Sequence, residues 1–283
     1  MSDRRTALVL GGGGITGIAW EIGLLAGLAE AGTDLSVADL VVGTSAGSVV
    51  GAQLACEAGL EAMYRRQLEP ATSEKPARLN RATLAHFGWA MLRSRGSDVE
   101  FRRRIGALAL AAEKAGATPS EQERLDVIGA RLVSTQWPQR RLVITAVDAG
   151  TGEFRPFDRD SGVPLLHAVA ASCAVPGVYP PVSIDGRRYV DGGMRSATNA
   201  DLARGYDRLV VLAPIARGFG PMAGVDAQVS GMVSRVAVVS PDRDSRTAIG
   251  RNVLDPAARA PSAEAGRAQA ASVAPRVAEV WTG

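Results

Sequence analysis

"TALVLGGGGITGIAWEIGLLAGLAEAG" (residues 6–32) sets four consecutive glycines between a short apolar run and a stretch with apolar side chains at helical spacing. Glycine loses more backbone freedom on folding than any other residue, so four in a row carry a cost. Such a junction marks a place where the backbone must come close to something: a phosphate, a nucleotide, or an oxygen that becomes negative during a reaction. Residues 6–10 read as a buried strand and 15–31 as a helix that stops at Gly32. "DLVVGTS" (39–45) is a second strand and "AGSVVGAQLACEAG" (46–59) a helix of small residues. Strand, helix, strand, helix is the pattern of a parallel sheet.

The pattern then breaks and resumes. Residues 60–136 are rich in Arg and Glu and read as successive amphipathic helices with no strand. "RLVITAVDA" (141–149) is a strand, "GTGE" (150–153) a turn and "PLLHAVAASCAVPG" (164–177) a helix. "VSIDGRRYV" (182–190) holds two short strands around an Asp-Gly turn. Residues 207–214 and 235–241 are further strands, and the Ala-rich segment 256–280 is a closing helix. The expectation is one α/β domain over residues 1–283 with a helical insertion at about 60–136.

Composition narrows the function. With 46% hydrophobic residues in a chain of 283, a substantial core is available. The 32 basic side chains are nearly balanced by 29 acidic ones, too even to indicate nucleic acid. Two cysteines, Cys56 and Cys173, make no disulfide framework and agree with a reduced cytoplasm. The first apolar run breaks at Gly11, too short for the core of a signal peptide. No segment approaches the ~18 apolar residues of a membrane span. The expected location is cytoplasmic, with at most peripheral membrane contact.

Two glycine-rich turns carry the chemistry. Gly12, Gly14 and Gly17 satisfy G-x-G-x-x-G, but a dinucleotide site also wants an acidic residue at the end of the second strand, where Ser45 stands. "GTSAG" (43–47) is G-x-S-x-G at a strand-to-helix junction, where a sharp turn lifts a serine hydroxyl above the sheet. Ser45 would sit at a helix N-terminus, whose oriented N–H groups favour an anionic intermediate; the plainer alternative is a serine capping that helix. A nucleophilic serine needs a base. His86 lies in the insertion among apolar and aromatic residues, and no histidine follows His167 to complete a Ser-acid-His order. Asp191, in "YVDGGM" (189–194), stands at a strand end before two glycines. Burial raises a carboxylate's pKa toward working pH, so it can take the serine proton directly; Asp-Gly-Gly is also a common turn.

Together and in order, "GGGGITG" (11–17), "GTSAG" (43–47), "ASCAVPGVYPPV" (171–182) and "DGG" (191–193) resemble the patatin-like phospholipase family over about residues 6–215. The resemblance implies a three-layer α/β/α fold with a central, mostly parallel sheet. It further implies a Ser45–Asp191 dyad without histidine, with the N–H groups of Gly12, Gly13 and Gly14 facing a developing oxyanion. The implied substrate is an acyl lipid, with no metal or cofactor. The alternative is a non-catalytic lipid-binding or scaffold protein of the same fold. Two positions depart from the family pattern. Thr16 replaces the Arg or Lys usual before the last glycine of the first motif, which bears on phospholipid preference. The usual Asn-x-Pro after the aspartate is missing, with Asn199 near the comparable place. In the insertion, "LAHFGWAML" (84–92) lies beside Arg93, Arg95, Arg102, Arg103 and Arg104. Two readings stand: an amphipathic helix packed on the sheet, or a membrane-facing lid that inserts Phe87 and Trp89.

Overall fold

The computed structural model of the protein describes residues 4–70, 76–78 and 81–283. The opening alternation folds as its periodicity dictates: β1 (Thr6–Leu10), α1 (Gly14–Glu30), β2 (Leu40–Gly43) and α2 (Ala46–Ala55). The insertion supplies α3 (Leu60–Leu68), α4 (Arg81–Arg93), α5 (Asp98–Lys114) and α6 (Glu121–Gly129). Serine caps start the last two: the Ser97 and Ser120 hydroxyls accept from the Glu100 and Glu123 N–H groups. Then follow β3 (Arg141–Asp148), β4 (Phe154–Phe157), α7 (Leu165–Ser172), β5 (Val182–Ile184) and β6 (Arg187–Asp191). The chain closes with β7 (Arg208–Leu212), α8 (Val225–Val229), β8 (Arg235–Val239), α9 (Arg243–Ile249) and α10 (Arg259–Trp281).

All the strands join one sheet in the order β5-β6-β3-β2-β1-β7-β8, with β4 also paired to β3. The run β3-β2-β1-β7-β8 is parallel, and β4, β5 and β6 add antiparallel pairs. Because side chains alternate across a strand, Leu8, Leu10, Val41 and Ile144 face one helical layer containing residues of α1, α2, α7 and α10. Ala7, Val9, Val42 and Val211 face the other, which is thinner and includes α8 and residues 200–203. α5 packs on that second face through Ala109 against Val147 and Val190. The fold is the expected three-layer, mostly parallel α/β arrangement.

Several boundaries differ from the sequence reading. The helix expected at 46–59 stops at Ala55, and Glu57 adopts a left-handed backbone with φ 60°. The helix expected at 164–177 stops at Ser172, so "CAVPG" forms a loop. β4 went unread because "FRPF" places Pro156 inside a four-residue strand, and proline is found in strands only at edges or bulges. The insertion does not stand apart: Ile128 of α6 and Met63 and Tyr64 of α3 belong to the main core. Residues 71–75 and 79–80 of that segment lie outside the described residues.

The arginines expected to meet a membrane are largely committed within the protein. Arg102 is buried, donating to the Gly152 carbonyl at 2.7 Å and pairing with Asp98 at 2.9 Å. Arg103 and Arg104 both pair with Glu100 at 2.7 Å. Phe87 packs beside Ala90, Phe101 and Ile105, whereas Trp89 remains 50% exposed. Among the described residues, no helix is long and apolar enough to cross a membrane.

α1 and α10 touch backbone to backbone. A Cβ on Gly23 would stand 2.0 Å from the Ala263 carbonyl oxygen, and one on Gly266 2.3 Å from that of Trp20. The Trp20 indole donates to Gln269 Oε1 at 2.9 Å, locking the pair. Next to Trp20, Glu21 is fully buried, and the backbone N–H of Gly11 only partly offsets the loss of water around its carboxylate. Burial pushes its pKa well above the ordinary 4.5. A raised folded-state pKa means stability that is present below about 4.5 and lost as pH rises through the shifted value. Glu21→Gln, which cannot ionise, should therefore melt higher than wild type at pH 8 by about 3 °C or more, and the difference should shrink at pH 5. Thermal melts across pH check this.

Candidate active site

The strand register brings the site together. Gly43 of β2 lies opposite Ile144 of β3, and two residues further along β3, Ala146 lies opposite Asp191 of β6. Ser45 is two residues beyond Gly43, so the serine and the aspartate meet over the end of β3 although 146 positions (191 − 45) separate them.

Ser45 caps α2 with φ 52° and ψ −114°, a left-handed backbone unusual for a residue with a side chain. The fold holds it there. Its N–H donates to the Ser172 hydroxyl at 2.9 Å, and its carbonyl accepts from Ser48 Oγ at 2.6 Å and Cys173 Sγ at 3.3 Å. Gly47 permits the bend, since a Cβ there would lie 2.0 Å from the Leu10 carbonyl oxygen. The Ser45 hydroxyl is turned toward the Asp191 carboxylate, and this contact pulls the aspartate's pKa down. Burial is the larger effect and raises it from 3.8 to about 6, while the Gly193 N–H, 2.7 Å from Oδ1, and the charge of Arg124 also oppose it.

The glycine loop sits beside this pair: a Cβ on Gly12 would come within 3.4 Å of Ser45 Cβ. The expectation for Gly12 needs correction. Its N–H donates to the Ala197 carbonyl at 2.7 Å and is therefore engaged in the fold. Among the described residues, no backbone carbonyl outside the helices and strands takes the N–H of Gly13 or Gly14. α1 begins at Gly14 and α2 at Ala46, so two helix N-termini bring partial positive charge to the serine. Thr16, where the family pattern has a basic residue, is fully buried; its N–H and hydroxyl reach the Val253 carbonyl at 3.2 and 3.3 Å.

Sequence reasoning pointed to Asn199 but missed the hydrogen bonds that it makes beneath Ser45 and Asp191. Thr44 and Thr145 share a hydrogen bond of 2.8 Å. Buried Asn199 donates from Nδ2 to Thr44 Oγ1 at 3.0 Å, the Ser196 carbonyl at 2.8 Å and the Gly192 carbonyl at 3.3 Å. One amide thus ties the serine elbow to the aspartate loop. Arg195 holds that amide through Asn199 Oδ1 at 2.9 Å while pairing with Asp201. His86 is exposed, its Nδ1 2.8 Å from the Ala82 carbonyl, and neither histidine lines the cavity at Ser45. Among the described residues, no group of three His, Cys, Asp or Glu side chains could hold a metal.

If Asp191 is the base, it must be ionised to take a proton, so kcat/KM should rise about tenfold per pH unit below about 6 and level off above it. A pH–rate profile of ester hydrolysis checks this, and Asn199→Ala, which loosens the site without removing the base, should lower the plateau.

The chain spans only 4% of the curated relatives it matches: it is 46% identical over 66 residues, 23% of this chain, to "Lysophospholipase nte1" of Aspergillus oryzae. It is 44% identical over 66 residues to the protein of the same name from Aspergillus niger. Among solved structures, VipD from Legionella pneumophila aligns over 97% of this chain and 67% of its own, with a TM-score of 0.49 and 14% identity. The type III effector protein ExoU aligns over 97% of this chain and 53% of its own, with a TM-score of 0.42 and 17% identity. The family model described as "Patatin-like phospholipase" matches residues 8–204, a span that contains the glycine loop, the serine elbow, Ser172, Asp191 and Asn199; the chain belongs to the patatin-like phospholipase family.

Proposed function

We propose that this chain is a serine acyl-ester hydrolase acting on lipids, of the phospholipase A or lysophospholipase type, through a Ser45–Asp191 dyad. The observation that carries the reading is a buried carboxylate with a pKa of about 6 facing a serine held on a strained elbow. Ser45 Oγ attacks the ester carbonyl as Asp191 takes its proton. The carbonyl oxygen, now negative, is met by the N–H groups of Gly13 and Gly14 at the start of α1. Asp191 returns the proton to the leaving alcohol, giving an acyl-serine. It then takes a proton from water, whose oxygen attacks the acyl carbon; the acid leaves and Ser45 is reprotonated. No step needs a metal or cofactor. A cavity of about 420 Å³ lies next to the nucleophile, sharing Ile15, Ile18 and Arg131 with the smaller cavity that contains Ser45; it offers room for substrate. The free, partly or fully buried thiols of Cys56 and Cys173 suit work in the cytoplasm.

Ser45→Ala should lower turnover of p-nitrophenyl butyrate by ~10³-fold or more, and a fluorophosphonate probe should label wild type at Ser45 but label Asp191→Asn poorly. Equal turnover by two folded proteins removes Ser45 from the mechanism. Absence of labelling supports a non-catalytic lipid binder instead.

We also propose peripheral contact with a lipid surface through α4, where Leu84, Trp89 and Leu92 are exposed and Arg93 lies over the Trp89 ring at 5.4 Å. In vesicle sedimentation, binding should be stronger to anionic than to neutral vesicles. Replacing Trp89 and Leu92 with serine should weaken it, with hydrolysis of vesicle lipid falling more than that of p-nitrophenyl butyrate. No binding by wild type at low salt refutes the contact.

A further inference from the structure

The loop that carries Gly13 and Gly14 has no side chains of its own to hold its shape, so its shape is set by what packs against it. In the register of β1 and β7, Leu10 lies opposite Leu212, and the Gly11 N–H donates to the Leu212 carbonyl at 2.9 Å. Both strands end there, so Pro214 stands two residues past β7 as Gly12 stands two past β1. The partly buried Pro214 ring packs directly on the glycines. A Cβ on Gly13 would stand 2.6 Å from Pro214 Cβ and 3.0 Å from its Cγ, and one on Gly11 3.2 Å from its Cδ. One on Gly17 would meet Pro214 Cβ and Cγ at 3.6 Å and Ala46 Cβ at 3.3 Å. Gly17 therefore lies against both the proline ring and the first residue of the helix that Ser45 caps.

The ring is itself braced. Beyond it the chain folds back, with the Val225 N–H donating to the Ala216 carbonyl at 3.0 Å and the Ala223 N–H to the Arg195 carbonyl at 3.2 Å. Ser196 and Ala223 form a bridge, and the Ala197 carbonyl takes the Gly12 N–H at 2.7 Å. The segment that starts at Pro214 thus closes onto the stretch between Asp191 and Asn199. Proline suits this place because its φ is fixed at about −65° and it brings no N–H that would need a partner. Donors aimed at a developing oxyanion act by being held in position beforehand, so a small shift costs rate while ground-state binding is kept. We infer that Pro214 is a positioning residue: its ring packs the glycine loop from outside and keeps the Gly13 and Gly14 N–H groups aimed at the carbonyl oxygen above Ser45. This inference rests on the hydrolase reading and adds to it a residue that does not line the Ser45 cavity.

The test uses the full chain and two inhibitors of one chain length, decyl trifluoromethyl ketone and decyl methyl ketone. With the first, Ser45 Oγ adds to the carbonyl carbon, its proton passes to Asp191, and the carbonyl oxygen keeps the electron pair as an alkoxide that needs the loop's donors. The second stays a planar ketone and reports ground-state binding. Wild type should bind the trifluoromethyl ketone more tightly. Pro214→Gly, which removes the whole ring, should lower kcat for p-nitrophenyl butyrate about tenfold or more with KM within about twofold. It should weaken the trifluoromethyl ketone by a similar factor and leave the methyl ketone nearly unchanged. Pro214→Ala keeps Cβ, the atom nearest Gly13, and should fall between wild type and Pro214→Gly on kcat and on the trifluoromethyl ketone. Thermal melts check folding; should Pro214→Gly fail to fold, Pro214→Ala still decides. A folded variant with wild-type kcat, or equal weakening of both ketones, overturns the inference. Equal binding of the two ketones by wild type overturns it as well, by removing the oxyanion role of Gly13 and Gly14. In each of those cases, ester hydrolysis that Ser45→Ala abolishes would leave the hydrolase reading intact, whereas hydrolysis independent of Ser45 would sink that reading itself.

Discussion

The site depends on one buried amide. Asn199 Nδ2 reaches the serine elbow at Thr44, the carbonyl of Gly192 next to Asp191, and the Ser196 carbonyl in its own loop. Thr44 in turn bonds Thr145 on β3, the strand that separates the two loops. Asn199 itself adopts a left-handed backbone with φ 51° and is wholly buried. A polar side chain so placed is costly unless its hydrogen bonds are met, and here they are. The network therefore does more than stabilise: it specifies one relative placement of Ser45 and Asp191, because any shift leaves a buried donor unpaired.

The same fold sets the electrostatics. Asp191 is only 3% exposed, which favours its neutral form, while the Ser45 hydroxyl, the Gly193 N–H and Arg124 favour the ionised one. The balance at about 6 is far nearer neutrality than a solvated carboxylate. That position comes from tertiary burial, since the local motif Asp-Gly-Gly offers only backbone donors. The positive charge in this balance comes from the insertion, so α6 belongs to the site as much as the glycine loop does.

Thr16 shows how a local departure is absorbed. It donates twice to the Val253 carbonyl, joining the glycine loop to the segment that brings Leu254 to the rim of the Ser45 cavity. A long charged side chain has no place at a fully buried position already occupied by that contact. In this chain the first motif is therefore tied to the C-terminal part of the fold, which α10 presses against α1 through Gly23 and Gly266.

By itself the sequence determined the parallel α/β core and singled out Ser45 and Asp191, which the fold brings together. Those rest on local chemistry: apolar runs of strand length, helical spacing after them, and glycines where a turn must be sharp. Gly47 was legible as part of an elbow, and its reason is a 2.0 Å approach to Leu10. Short-range patterns did not reach further. β4 was hidden by Pro156, and the two helix ends at Ala55 and Ser172 depended on packing. Gly12, Arg102 and Arg124 each meet a partner 50 or more residues away: the Ala197 carbonyl, the Gly152 carbonyl and the Tyr179 ring. A hydrogen bond or a stacked ring satisfies a side chain wherever the fold delivers the partner, and that delivery is a property of sheet register and helix packing, which no window of the sequence contains.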